Sequence, residues 1–349
     1  MKKAIWLLCL ELTSFLTIVS LYFISQTQSK TGNGFKRTYQ FHILTSVRKK
    51  RIEKNMYGIS GTGKSSLFLA INNVPLYGLR ISDDLTDSQH FKIRIDSGIK
   101  IPVAGTQLQI DSPFVFICSG TLPAIFQGKF PDSFVHRISL PLPYFTIVAP
   151  FNQHSFALRV LESKRKQYIL AKSSRKETTY ATNILVRQVD GIFCTDGMLV
   201  YNKDKSRIVY VYYYRNQYLL LDTNLHLIYQ GKTIDTISIA KIKVAIDNKT
   251  ESMTMSSPPL VVNSNSASWK NWLFIQSPRS AENEKLEDLK ANSVIDVYDL
   301  QKGTYIFSFY LSNPYSKKLK EFRVINNRLI ALYDEWIYSY ELNTSYFKE

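Results

Sequence analysis

The stretch MLVYNKDKSRIVYVYYYRNQYLLLDTNLHLIYQG, Met198 to Gly231, decides the fold. It contains four short apolar or alternating runs, MLVYN, RIVYVYY, QYLLLD and HLIYQG. None sustains a helical period, and period-two alternation of β-branched and aromatic residues is the mark of strands. The connections KDKS, YRN and TNL carry the Asn, Asp, Lys and Ser of tight turns. The spacing predicts a four-stranded antiparallel meander.

Similar meanders extend over the rest of the chain. Taking the third strand as landmark gives PLYGLRI at Pro75, PAIFQG at Pro123, QYILAK at Gln167, QYLLLD at Gln217, SVIDVYDL at Ser293 and WIYSYEL at Trp336. Their spacing is about 43 to 50 residues with one larger step, and a four-stranded propeller blade needs roughly 40 to 50. The expected fold class is therefore all-β, a six-bladed β-propeller with four-stranded blades. The larger step holds two insertions, DTISIAKIKVAIDNKTESMTMSSPP and SPRSAENEKLEDLKAN, the second with a short helix expected near Ala281 to Leu289. The last repeat supplies only EFRVI, RLIALYD and WIYSYEL, so TYQFHIL, Thr38 to Leu44, is expected to close the ring as an N-terminal strand. With 22 Tyr and 20 Phe, the chain has ample material for sheet cores.

The apolar run Ala4 to Ile24 carries one ionised residue, Glu11, and is long enough to cross a bilayer. It predicts an uncleaved membrane anchor or signal over residues 1–27, a linker over 28–37 and a propeller domain over 38–349. Long domains after a first apolar segment usually translocate, so the body is expected on the extracytoplasmic, periplasmic side. Cys9 lies too early for a lipoprotein attachment site, and Cys118 and Cys194 have neither metal-ligand nor redox spacing. The net charge of +16 implies attraction to something anionic, while the local clusters RKKR, Arg48 to Arg51, and KRK, Lys164 to Lys166, read as solvated surface.

GISGTGKS, Gly58 to Ser65, fits the phosphate-loop pattern at every defined position. Its flanks do not: the preceding RKKRIEKNMY is too charged for a buried strand, and Asn72, Asn73 and Pro75 end any helix soon after the loop. Gly58, Gly63, Lys64 and Ser65 are read as a chance match in a hairpin, and no cofactor is expected. Asp222, a conceivable magnesium carboxylate, is explained by its turn. Asp190 and Asp196 in QVDGIFCTDG are the best paired-carboxylate candidates, able to divide acid and base roles at a central funnel, although Asp-Gly also marks turns. In YVYYYRNQY, Tyr213 and Arg215 are candidate ligand contacts, while Tyr210, Tyr212 and Tyr214 share the face expected to pack. The histidines are isolated, and no metal site is readable.

QVDGIFCTDGMLVYNKDKSRIVYVYYYRNQYLLLDTNLHLIYQGKTIDT together with SVIDVYDLQKGTYIFSFYL resembles an uncharacterised family of bacterial membrane-anchored, propeller-like proteins. The resemblance is closest over residues 188 to 311. It implies location and fold, and transfers no catalytic residue. The expected function is a membrane-tethered extracytoplasmic propeller that binds a protein, peptide or glycan and performs no catalysis, with the membrane as a further partner and no nucleic acid. The alternatives are a propeller enzyme acting on carbohydrate and, third, a nucleotide-binding protein.

Overall fold

The runs SLFLAI, FVFICS, SFALRVLE, RIVYVY, WLFIQ and RLIAL are buried over nearly their whole lengths, so their side chains meet neighbours on both faces of a sheet. Near-continuous apolar runs bounded by turn residues suit such two-sided burial. Each is the second strand of a meander. The computed structural model describes residues 6, 10–21, 33–52, 57–71, 74–95, 101–102, 105–246 and 253–348.

In chain order, β1 (Leu44–Arg51) precedes the meander β2 (Tyr57–Thr62), β3 (Ser66–Ile71), β4 (Val74–Ser82) and β5 (Ser88–Lys92). After β6 (Arg94–Ile95) come β7 (Thr106–Asp111), β8 (Phe114–Ser119), β9 (Ala124–Lys129) and β10 (Phe134–Ile138). Next are β11 (Phe145–Asn152), β12 (Ser155–Glu162), β13 (Gln167–Ser174) and β14 (Thr178–Ala181), then β15 (Gly197–Asn202), β16 (Arg207–Tyr212), β17 (Gln217–Leu221) and β18 (Leu227–Lys232). A small hairpin, β19 (Val244–Ile246) and β20 (Met253–Met255), precedes β21 (Asn265–Trp269), β22 (Trp272–Gln276), β23 (Asn292–Asp299) and β24 (Thr304–Ser312). The chain finishes with β25 (Glu321–Ile325), β26 (Arg328–Leu332) and β27 (Trp336–Leu342).

The described strands form four four-stranded sheets, one nine-stranded sheet and one two-stranded sheet. Six separate four-stranded blades are therefore not what forms. The first two meanders are fused because β2 and β7 pair in parallel at Gly61↔Ile110 and Thr62↔Asp111. Gly61 permits the fusion: a Cβ there would stand 1.8 Å from the Ile110 carbonyl oxygen, so only glycine lets the two backbones meet. The relation to propellers is consequently a distant one, although β2, β7, β11, β15, β21 and β25 do touch in sequence and return from β25 to β2. The core lies between successive sheets. Leu170 and Leu185 meet Tyr210 and Tyr212, for example, and Val209 and Val211 meet Leu273 and Tyr298.

Ring closure is also corrected. The strand that completes the β25–β27 sheet is Leu44–Arg51, not Thr38 to Leu44, and it pairs antiparallel with β27 from Leu44↔Leu342 to Arg51↔Trp336. Hydropathy points to the wrong segment because this outermost strand is almost wholly exposed and carries RKKR, charges that blunt an open edge. Thr38 and Gln40 instead bond the Ser308 backbone in β24. The short helix forms at Leu286–Ala291, later than expected, since Ala281 and Glu282 are held by Glu284 and by the Phe35 carbonyl.

The membrane anchor expected across Ala4 to Ile24 is overturned among the described residues, where no helix is long and apolar enough to cross a membrane. Residues 1–5, 7–9 and 22–32 lie outside the described residues. The tether, the membrane partner and the extracytoplasmic, periplasmic placement inferred from that anchor fall with it.

The tyrosine-rich interfaces predict alkaline sensitivity. Burial raises the pKa values of Tyr210 and Tyr298, and it pushes Tyr340 up to about 12. An unfolded chain releases phenolic protons near ~10. Between those values the folded chain holds more protons than the unfolded one, so stability falls as pH rises through that window. The urea midpoint is expected to hold level up to about pH 9.5 and then drop, with tyrosinate absorbance appearing in step with unfolding.

Candidate functional site

The strands β2, β7, β11, β15, β21 and β25 wall a channel of about 270 Å³. One mouth is crossed by an ion pair: Lys203 Nζ, just past β15, lies 2.7 Å from Asp111 Oδ1 at the end of β7, with β11 between those strands. The mouth at the other ends of these strands, where β15 and β25 begin, collects a different set of groups, none of which lines that cavity.

Asp196 stands immediately before β15. The Gly197 amide donates to its Oδ1 at 3.0 Å, and the Tyr213 amide donates to its carbonyl at 3.1 Å, so the carboxylate and the tyrosine are fixed to one another through backbone. Gly197 must be small, because a Cβ there would stand 2.4 Å from the Val211 carbonyl oxygen. The Asp196 carboxylate is ion-paired with Arg159 from β12, whose side chain is 7% exposed while that of Asp196 is 29% exposed. Arg159 is further held by Nε donating to Thr146 Oγ1 at 3.1 Å and by stacking 4.1 Å from the Tyr168 ring centroid. Burial works against the Arg159 charge, but Tyr210 and Asp196 outweigh it and its pKa stands raised.

Tyr213 is half-buried in the turn between β16 and β17, and Val262 and Asn263 amides both donate to its carbonyl. Burial first, and then the Asp196 charge, push its phenol up to about 12; Glu321 adds a smaller push in the same direction. Glu321 opens β25, accepts from the Ile59 amide at 3.2 Å and keeps Arg323 at 3.9 Å, its side chain 26% exposed. The mouth thus combines a proton-bearing phenol, an arginine-paired carboxylate and a second carboxylate on a different strand. Such a set can donate and accept protons while a buried cation steadies developing negative charge.

The other sequence candidates lie elsewhere. Asp190 is 2% exposed and accepts from the amides of Ile192, Phe193 and Cys194, so it shapes the loop and does not join Asp196. Arg215 points away into a separate pocket beside Lys232. Gly58 to Ser65 lies on β2 and the turn after it, with the Gly63 amide bonded to the Ser66 carbonyl and the strand β3, instead of a helix, following. Arg159 and Glu321 escaped sequence reasoning. A lone arginine inside SFALRVLE, an otherwise apolar strand, was the available signal, since such a charge needs a partner.

No family model and no curated protein matches the sequence. Among solved structures, the chain is similar to a member of the duf4221 family from Bacteroides vulgatus, with TM-score 0.50 and 11% identity over 86% of this chain and 97% of that one. It is also similar to a streptogramin B lyase, with TM-score 0.50 and 8% identity over 85% of this chain and 98% of that one.

These likenesses are of fold alone. They replace the resemblance to a membrane-anchored bacterial family, which no family match and no membrane-crossing helix among the described residues supports. Because an enzyme shares the architecture, the expectation of a tethered binding protein without catalysis is corrected as well: nothing in the fold speaks against chemistry.

Proposed function

We propose that the chain is an enzyme acting on carbohydrate by general acid–base chemistry at the mouth where β15 and β25 begin. The observation that carries this reading is the cluster of Asp196, Arg159, Tyr213 and Glu321, assembled from separate strands and turns and held by backbone hydrogen bonds. Tyr213 keeps its proton through neutral pH and serves as donor; Asp196, ion-paired with Arg159, serves as acceptor. Glu321 stands near enough to add its charge to the field that raises the Tyr213 phenol. A net charge of +16 favours anionic polymers as substrates. That a lyase shares the fold supports placing catalysis on this scaffold.

The test is turnover on a panel of neutral and uronic-acid polysaccharides, read as new chain ends. Acidic polymers are expected to be cleaved, with Asp196→Asn slowing the reaction by about 10²- to 10⁴-fold, the usual weight of a positioned acid or base. Absence of product from every polymer, or equal rates for wild type and Asp196→Asn, would sink the reading.

A further inference from the structure

Arg215 is 1% exposed, yet its Nε and Nη2 atoms have no hydrogen-bond acceptor among the described residues. Its guanidinium lies 3.6 Å from the centroid of the Tyr212 ring, and only Nη1 is engaged, donating to the Val186 carbonyl at 3.1 Å. Nor do the buried acids of this region neutralise it. Asp190 is spent on three amides, and Asp235 pairs with Arg279 at 3.2 Å while accepting from Ile237. A buried, uncompensated guanidinium is costly unless something outside the chain supplies the missing acceptors.

Arg215, its Nε and Nη2 buried, lines a pocket of about 220 Å³ shared with Lys232, Gln217, Gln230, Gln188 and Ser238, and no carboxylate is among the lining residues. Gln188 is already committed, donating to the Ser238 carbonyl and accepting from Ala240. Lys232 makes no ion pair among the described residues. Register explains why these groups converge: Gln217 and Lys232 are cross-strand partners at the ends of β17 and β18, and Arg215 lies in the turn that feeds β17. The pocket shares no residue with the mouth formed by Asp196, Tyr213 and Glu321.

We propose that this pocket binds a small carboxylate ligand, specifically a sugar acid. Nε and Nη2 form the guanidinium edge that gives two parallel N–H···O bonds to a carboxylate. Stacking on Tyr212 limits approach to the guanidinium plane, which suits a flat carboxylate. The carboxamides of Gln217 and Gln230 suit neutral hydroxyls, and Lys232 adds a second positive charge at the rim. This inference stands independently of the reading of the mouth.

Titration calorimetry and thermal shift with glucuronate, acetate, glucose and inorganic phosphate test it on the full chain. Glucuronate is expected to bind and raise the melting temperature, acetate to do so more weakly and glucose not at all. Arg215→Lys retains charge but loses the two-pronged edge, and should weaken glucuronate at least about tenfold. Should that variant fail to fold, Lys232→Gln, at an exposed position, is expected to weaken it several-fold while leaving the fold intact. Arg51→Ala, on the exposed edge strand β1, should bind glucuronate as wild type does. Binding of phosphate without glucuronate, no response to any carboxylate, or glucuronate binding unaffected by Lys232→Gln would overturn the assignment.

Discussion

Arg37→Ala is expected to lower the unfolding free energy by about 3–5 kcal/mol, the usual consequence of removing one partner from a buried ion pair. The guanidinium grips Asp296 with Nε at 2.8 Å and Nη2 at 3.1 Å, and reaches Glu284 with Nη1 at 2.6 Å. The Arg37 and Glu284 side chains are fully buried and that of Asp296 is 2% exposed. Burial opposes the arginine charge, but Asp296 and Glu284 outweigh it and hold the pKa above its ordinary value. Alanine would leave two carboxylates buried without their cation. It would also free the segment that carries Tyr39, whose hydroxyl bonds Glu284 and whose ring stacks on Tyr310. The contrast is Arg51→Ala, which removes an exposed pair with Glu335 and should cost no more than about 1 kcal/mol. Urea denaturation of both variants measures the difference. Equal small losses would mean that the buried cluster does not hold the N-terminal segment in place.

Phe347→Ala should cost a similar amount, about 3–5 kcal/mol, as buried Phe-to-Ala substitutions do. The ring is 3% exposed. Its centroid lies 5.9 Å from Trp269, 5.6 Å from Trp272, 5.6 Å from Phe274 and 5.7 Å from Phe307. Four aromatic neighbours on three strands would face one cavity that none of them can refill without leaving its own contacts. Phe347→Leu keeps most of the volume and should recover more than half of the loss. A loss below about 1 kcal/mol for alanine would show that the cluster closes over the gap.

The strand positions were legible because buried second strands and their turn residues are local signals. PLYGLRI, PAIFQG, QYILAK, QYLLLD, SVIDVYDL and WIYSYEL lie in or across β4, β9, β13, β17, β23 and β27. What joins the sheets was not legible. The β2–β7 fusion depends on Gly61 meeting a backbone some fifty residues away, and glycine announces a close approach without naming its partner. The closing strand escaped because an exposed edge carries charge instead of an apolar pattern. At the mouth, Asp196 could be picked out from its surroundings, but Arg159 and Glu321 come from strands far away in the chain. Asp190 could not be told from a catalytic acid until its three amide donors were seen. Nothing local marks Arg37, whose carboxylates lie about 250 residues later.

Asp196 and Tyr213 are proposed to touch the reacting atoms of a carbohydrate, a contact that can be seen directly. It is tested most directly by a crystal structure of the Asp196→Asn variant with an uncleaved uronic-acid oligosaccharide. A sugar is expected across the mouth, with Tyr213 Oη about 2.6–3.2 Å from the bridging oxygen and the substituted side chain at position 196 within the same range of the ring that it serves. Sugar bound only in the Arg215 pocket, or across the Lys203–Asp111 mouth, would contradict it.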